Sequence, residues 1–141
     1  MKLPVAAILL LLHSPTVLHA QHAQLAPLID AVQNSSDPSY AFVRCAALRM
    51  AFLEWVDGKT ITQEEVNATK LSFAQFVQVA DSIRHGKNDP GNIEIADDVF
   101  EDLHAIKALY LEHLRSSYAS TDTAFDAMWL SDLKTCNSIE Q

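Results

Sequence analysis

Glycine occurs only three times in these 141 residues, as Gly58, Gly86 and Gly91. A glycine-rich loop of the kind that cradles phosphate therefore has no material to be built from. Also missing are a G-x-S-x-G nucleophile elbow, an H-E-x-x-H zinc pair and the C-x-x-C-H attachment of covalent haem. Strict apolar–polar alternation is absent too, which removes the half-buried strand as a building unit. Cysteine is limited to Cys45 and Cys136, with no C-x-x-C spacing for a redox pair or a zinc site. Positive charge is scarce: ten Lys and Arg face eighteen Asp and Glu, for a formal net charge of −8. Nucleic acid and anionic lipid repel such a chain, whereas a basic protein partner suits it. Nothing in this inventory supports an enzyme, and no cofactor is implied.

What is present starts with residues 1–20, which read as a cleavable export signal. Lys2 supplies the positive start, Leu3 to Leu12 the apolar run, and Ala20 the small residue before the cut, after a helix-breaking Pro15. The run is about half the roughly 20 residues needed to span a bilayer, so a stable membrane anchor is not expected. Cleavage leaves residues 21–141 as one domain, exported to the periplasm of a Gram-negative cell or otherwise to the extracellular space. Loss of Lys2 takes that domain to −9. In an oxidising compartment, Cys45 and Cys136 have one possible pairing, and it closes a loop almost as long as the domain.

Apolar residues recur at three- and four-residue spacing, which predicts an all-α fold. Turn clusters divide it into a short leading helix over 24–33 and four main helices, together a compact bundle. The second helix, 39–57 and stopped by Gly58, carries Trp55, Leu48, Phe52, Cys45, Val56, Phe42 and Leu53 on one wide arc. Ala47, Ala51, Arg44 and Glu54 fall opposite, so the pattern predicts an outward Arg44. Arg49 falls inside the arc and is the candidate buried charge, held by a carboxylate or facing an anionic ligand. The third helix opens on a T-x-x-E capping box, Thr62 to Glu65, and stops at Gly86. Its Val66, Phe73, Phe76, Val77, Ala80 and Ile83 are expected inside, and Lys70, Gln75, Gln78, Asp81 and Ser82 outside.

The fourth helix, 93–118, points Ala96, Val99, Leu103, Ile106, Tyr110 and Leu114 inward. Its first turns carry Glu94, Asp97, Asp98, Glu101 and Asp102, which complement the helix dipole and form a candidate face for a basic partner. Glu101 and His104 have the i, i+3 spacing of a carboxylate–histidine metal pair, but no second such pair accompanies them. The fifth helix is expected to open at Asp122, with Phe125, Met128, Trp129 and Leu133 inward and Cys136 near its end.

Tyr40-Ala41-Phe42-Val43-Arg44-Cys45 and, near the other end, Leu133-Lys134-Thr135-Cys136 resemble the layout of small helical periplasmic immunity proteins that neutralise cell-wall amidases. The likeness covers two short patches and implies roles for Cys45 and Cys136 alone. The expectation is thus an exported, acidic, non-enzymatic binding or inhibitor-type protein. The alternatives are an envelope housekeeping protein, or a small-molecule or metal binder using Arg49 or Glu101/His104.

Overall fold

The computed structural model describes residues 25–57, 60–86 and 94–140. The expected export signal, Gly58 and the turn at Asp89-Pro90-Gly91-Asn92 lie outside the described residues. Among the described residues there are five helices: α1 (Leu28–Asn34), α2 (Tyr40–Val56), α3 (Gln63–His85), α4 (Asp97–Thr121) and α5 (Ala127–Ile139). No strand occurs among the described residues. Nor, among them, is any helix long and apolar enough to cross a membrane.

Helix ends follow local chemistry. Thr62 and Glu65 form the reciprocal capping box at the start of α3, and Gly86 closes that helix in the left-handed region at φ 64°. α2 ends on Asp57 and α4 on Asp122, both left-handed without being glycine, at φ 48° and 56°. The expected opening of α5 at Asp122 is therefore corrected: Asp122 terminates α4. Asp126, four residues on, is the cap of α5, its Oδ1 accepting the Trp129 amide at 3.0 Å. Two aspartates in one linker offer two possible caps, and Ser117 helps decide between them by donating to the Thr123 carbonyl at 2.8 Å.

α2 is central and packs against all four other helices. Val43 to Leu48 are buried without interruption, as is Ala51. The side expected to face water is thus covered, which corrects the outward placement of Ala47, Ala51 and Arg44. Alanine is small and only weakly apolar, so a face built of it carries little hydropathy signal even though it can pack tightly. Val99, Leu103, Ile106, Tyr110 and Leu114 of α4 complete the core with Phe76, Val77 and Ala80 of α3. Ile83, expected inside, is 40% exposed, and Asp81, expected outside, is 5% exposed. Asp81 turns inward because the amide of Ala96, the N-terminal cap of α4, donates to its Oδ1 at 3.2 Å.

Candidate functional site

The polar centre of the molecule is built on Arg44. α2 delivers it into the core at 1% side-chain exposure, where it meets Asp132 of α5 at 0%. Arg44 Nη2 stands 2.7 Å from Asp132 Oδ2, and Arg44 Nε donates to the Tyr110 hydroxyl of α4 at 2.9 Å. That hydroxyl in turn donates to Asp132 Oδ2 at 2.6 Å. The same guanidinium donates to the Ala26 carbonyl, and the Leu28 amide donates to Asp132 Oδ1 at 2.6 Å. Burial opposes the charge on Arg44, but Tyr110 and Asp132 outweigh it and hold its pKa above the ordinary arginine value. Burial likewise drives the Tyr110 phenol well above its usual range, with Asp132 adding to the effect and Arg44 opposing it. With that phenol neutral, the negative charge compensating Arg44 comes from Asp132.

One residue on from Arg44, Cys45 meets Cys136 of α5, with sulfurs 2.08 Å apart and Cα atoms 5.5 Å apart, at disulfide distance. The cysteine pair and the Arg44–Asp132 pair thus join the same two helices side by side.

A second polar cluster lies where α2 begins, α3 ends and α4 begins. Arg84 donates from Nη2 to Asp37 Oδ2 and to Asp102 Oδ2, each at 2.7 Å, and from Nε to Ser39 Oγ at 2.7 Å. Asp98 completes it, with its Oδ2 3.4 Å from Arg84 Nη1 and its Oδ1 3.0 Å from His85 Nε2. Of the five acidic residues expected to form a partner face, Asp98 and Asp102 therefore lean on Arg84. All five are exposed.

Comparison with family models, curated proteins and solved structures finds no match.

Arg49, the candidate buried charge, is only partly covered at 13% side-chain exposure. It donates to Ser72 Oγ at 3.0 Å, Asn137 Oδ1 at 2.6 Å and Glu140 Oε2 at 3.2 Å, so it links α2, α3 and the end of α5. The enclosed guanidinium is Arg44 instead. Its sequence signal was Asp132, which sits on one helical stripe between Trp129 and Cys136 (i, i+3, i+7) and needs a cationic partner from another helix. Glu101 and His104 gain no third ligand: among the described residues no three His, Cys, Asp or Glu side chains gather to hold a metal. His104 is exposed and stacks on Phe100, with ring centroids 6.5 Å apart. His113 Nε2 lies 2.9 Å from Asp126 Oδ2, so that histidine supports the cap of α5. Among the described residues, no buried side-chain nitrogen or oxygen lacks a hydrogen-bond partner. The Arg44 cluster is chemically closed, and what it can do is hold helices together.

Proposed function

We propose that this chain is an exported, non-enzymatic binding protein of the inhibitor or immunity type, periplasmic in a Gram-negative cell and extracellular otherwise. It meets a basic protein partner through the carboxylates at the start of α4. One contrast carries the reading: among the described residues the buried polar side chains all have hydrogen-bond partners within the protein, whereas Glu94, Asp97 and Glu101 stand exposed in a strongly acidic chain. Such a surface steers and selects a cationic partner. Support for export comes from the leader-like pattern of residues 1–20 and from cysteines at bonding distance, which suits an oxidising compartment.

The test has two arms. Expressed from its full sequence in a Gram-negative host, the protein should be recovered from the periplasm as a chain starting at Gln21, lighter by two hydrogens than its dithiol form. An uncut cytoplasmic product with free thiols removes the export reading. For the partner, the mature protein and its Asp97→Lys/Glu101→Lys variant serve as paired baits in envelope extracts. A basic hydrolase retained and inhibited by the first bait alone is the expected result. If no basic protein distinguishes the two baits, the partner reading fails.

A further inference from the structure

A cavity of about 210 Å³ opens between α2, α3 and α5, away from the acidic end of the molecule. Its walls include Leu48 and Phe52 of α2, Phe125 from the linker before α5, and Trp129 and Leu133 of α5; among the described residues, Arg49 is the one charged residue lining it. The aromatic walls are set by one another: Phe125 lies 5.8 Å from Phe52 and 5.3 Å from Trp129 between ring centroids. Leu130, which also lines the space, is 54% exposed. An apolar cavity of about 150 Å³ is enough to admit benzene. This one accommodates a single ring with a short side arm.

The residues beside it say what that arm carries. Asn137 and Glu140 follow Leu133 at i+4 and i+7, on the same face of α5. Both meet the Arg49 guanidinium, and Glu140 does so through a carboxylate oxygen at 3.2 Å. An anion already stands next to the apolar cavity, supplied by the chain itself from the capping residue at the end of its last helix.

We infer that the cavity is a binding site for a small arylalkyl carboxylate, whose ring lies among Phe52, Phe125, Trp129 and Leu133 and whose carboxylate takes the place of Glu140 on Arg49. Glu140 is then an internal competitor that keeps Arg49 satisfied while the site is empty. The site is independent of the protein partner proposed for the acidic end.

Phenylacetate is the probe, with 2-phenylethanol as its neutral counterpart. Trp129 reports from the wall in a Trp55→Phe background, since Trp55 packs on Tyr118 and does not line the cavity. Phenylacetate should change Trp129 emission saturably in the millimolar range and bind about tenfold more tightly than 2-phenylethanol, the margin of one charge-assisted contact. Arg49→Gln should erase that margin, and Glu140→Gln should tighten phenylacetate binding several-fold. Leu133→Phe should fill much of the cavity, leave Trp129 the lone reporter, and weaken binding of both probes at least about tenfold. Lack of saturation with either probe overturns the site, as does undiminished binding in folded Leu133→Phe. A margin unchanged in Arg49→Gln, or phenylacetate affinity that does not rise in Glu140→Gln, overturns the role of Arg49.

Discussion

Asp132 Oδ1 accepts the amide of Leu28 at 2.6 Å, across 104 residues of sequence, while its other oxygen holds Arg44 at 2.7 Å. One carboxylate thereby caps the first amide of α1 and neutralises the most deeply buried charge of α2. α1 has seven residues, too few for a stable helix in isolation. It persists because Leu28 is fully buried and because Arg44 and Asp132 grip the backbone on either side of Pro27.

Removing Asp132 should therefore be costly. Asp132→Ala leaves Arg44 charged and enclosed and the Leu28 amide unpaired, and is expected to lower unfolding stability by about 3–5 kcal/mol. The double variant Arg44→Met/Asp132→Leu should recover part of that, since no uncompensated charge remains, but not all, since Ala26 and Leu28 still lose their partners. Urea denaturation of the three proteins measures both. A cost for Asp132→Ala below 1 kcal/mol would show that the pair holds nothing together.

The cysteine pair closes a loop of 91 residues. Chain-entropy reasoning gives about 4–5 kcal/mol for a loop of that length. Cys45→Ala/Cys136→Ala should lose stability on that scale while keeping its far-ultraviolet helix signal, because the Arg44 cluster joins the same helices. An oxidised protein no more stable than its reduced form contradicts this.

Acid should loosen the molecule through specific carboxylates. Burial pulls Asp37 upward, but hydrogen bonds from Ser39 and the Arg84 guanidinium outweigh it, and its pKa falls below the usual aspartate range. Asp126 behaves alike, with burial outweighed by the Trp129 amide and by His113. A depressed folded-state pKa means that the stabilisation is complete above about pH 4, the unfolded aspartate value, and is lost as pH falls through the lower folded value. Chemical denaturation between pH 6 and 2 should show this fall. Asp37→Asn and Asp126→Asn should each start lower and lose less on acidification. Parallel curves for wild type and variants would assign the acid sensitivity elsewhere.

Asp122 holds a left-handed conformation that costs a residue with a Cβ roughly 1–2 kcal/mol. Asp122→Gly should raise stability by about 0.5–1 kcal/mol, because relief of that strain exceeds the added entropy of an unfolded glycine. Gly86→Ala should have the opposite sign: φ is 64° there, although no atom of the described residues lies within 4 Å of an added Cβ. Thermal melts of the two variants should shift in opposite directions.

Local signals in the sequence determined the number and order of the helices, the Thr62–Glu65 box, the Gly86 stop and the inner stripe of α4, because each depends on residues a few positions apart. The one possible cysteine pairing was legible for the same reason of simplicity. Which arginine is buried was not legible. Hydropathy periodicity weighs each helix against water, and on that basis Arg44 belongs outside with Ala47 and Ala51. In the folded bundle the side of α2 that carries Arg44, Ala47 and Ala51 is covered by other helices, and of the residues expected outside only Glu54 stays exposed. Only the tertiary structure could bring Arg44, Tyr110, Asp132 and the Leu28 amide together from four helices, and only it could place Glu140 on Arg49 beside an apolar cavity. Burying a charge depends on the partner that arrives from elsewhere in the chain, and no local pattern encodes that arrival.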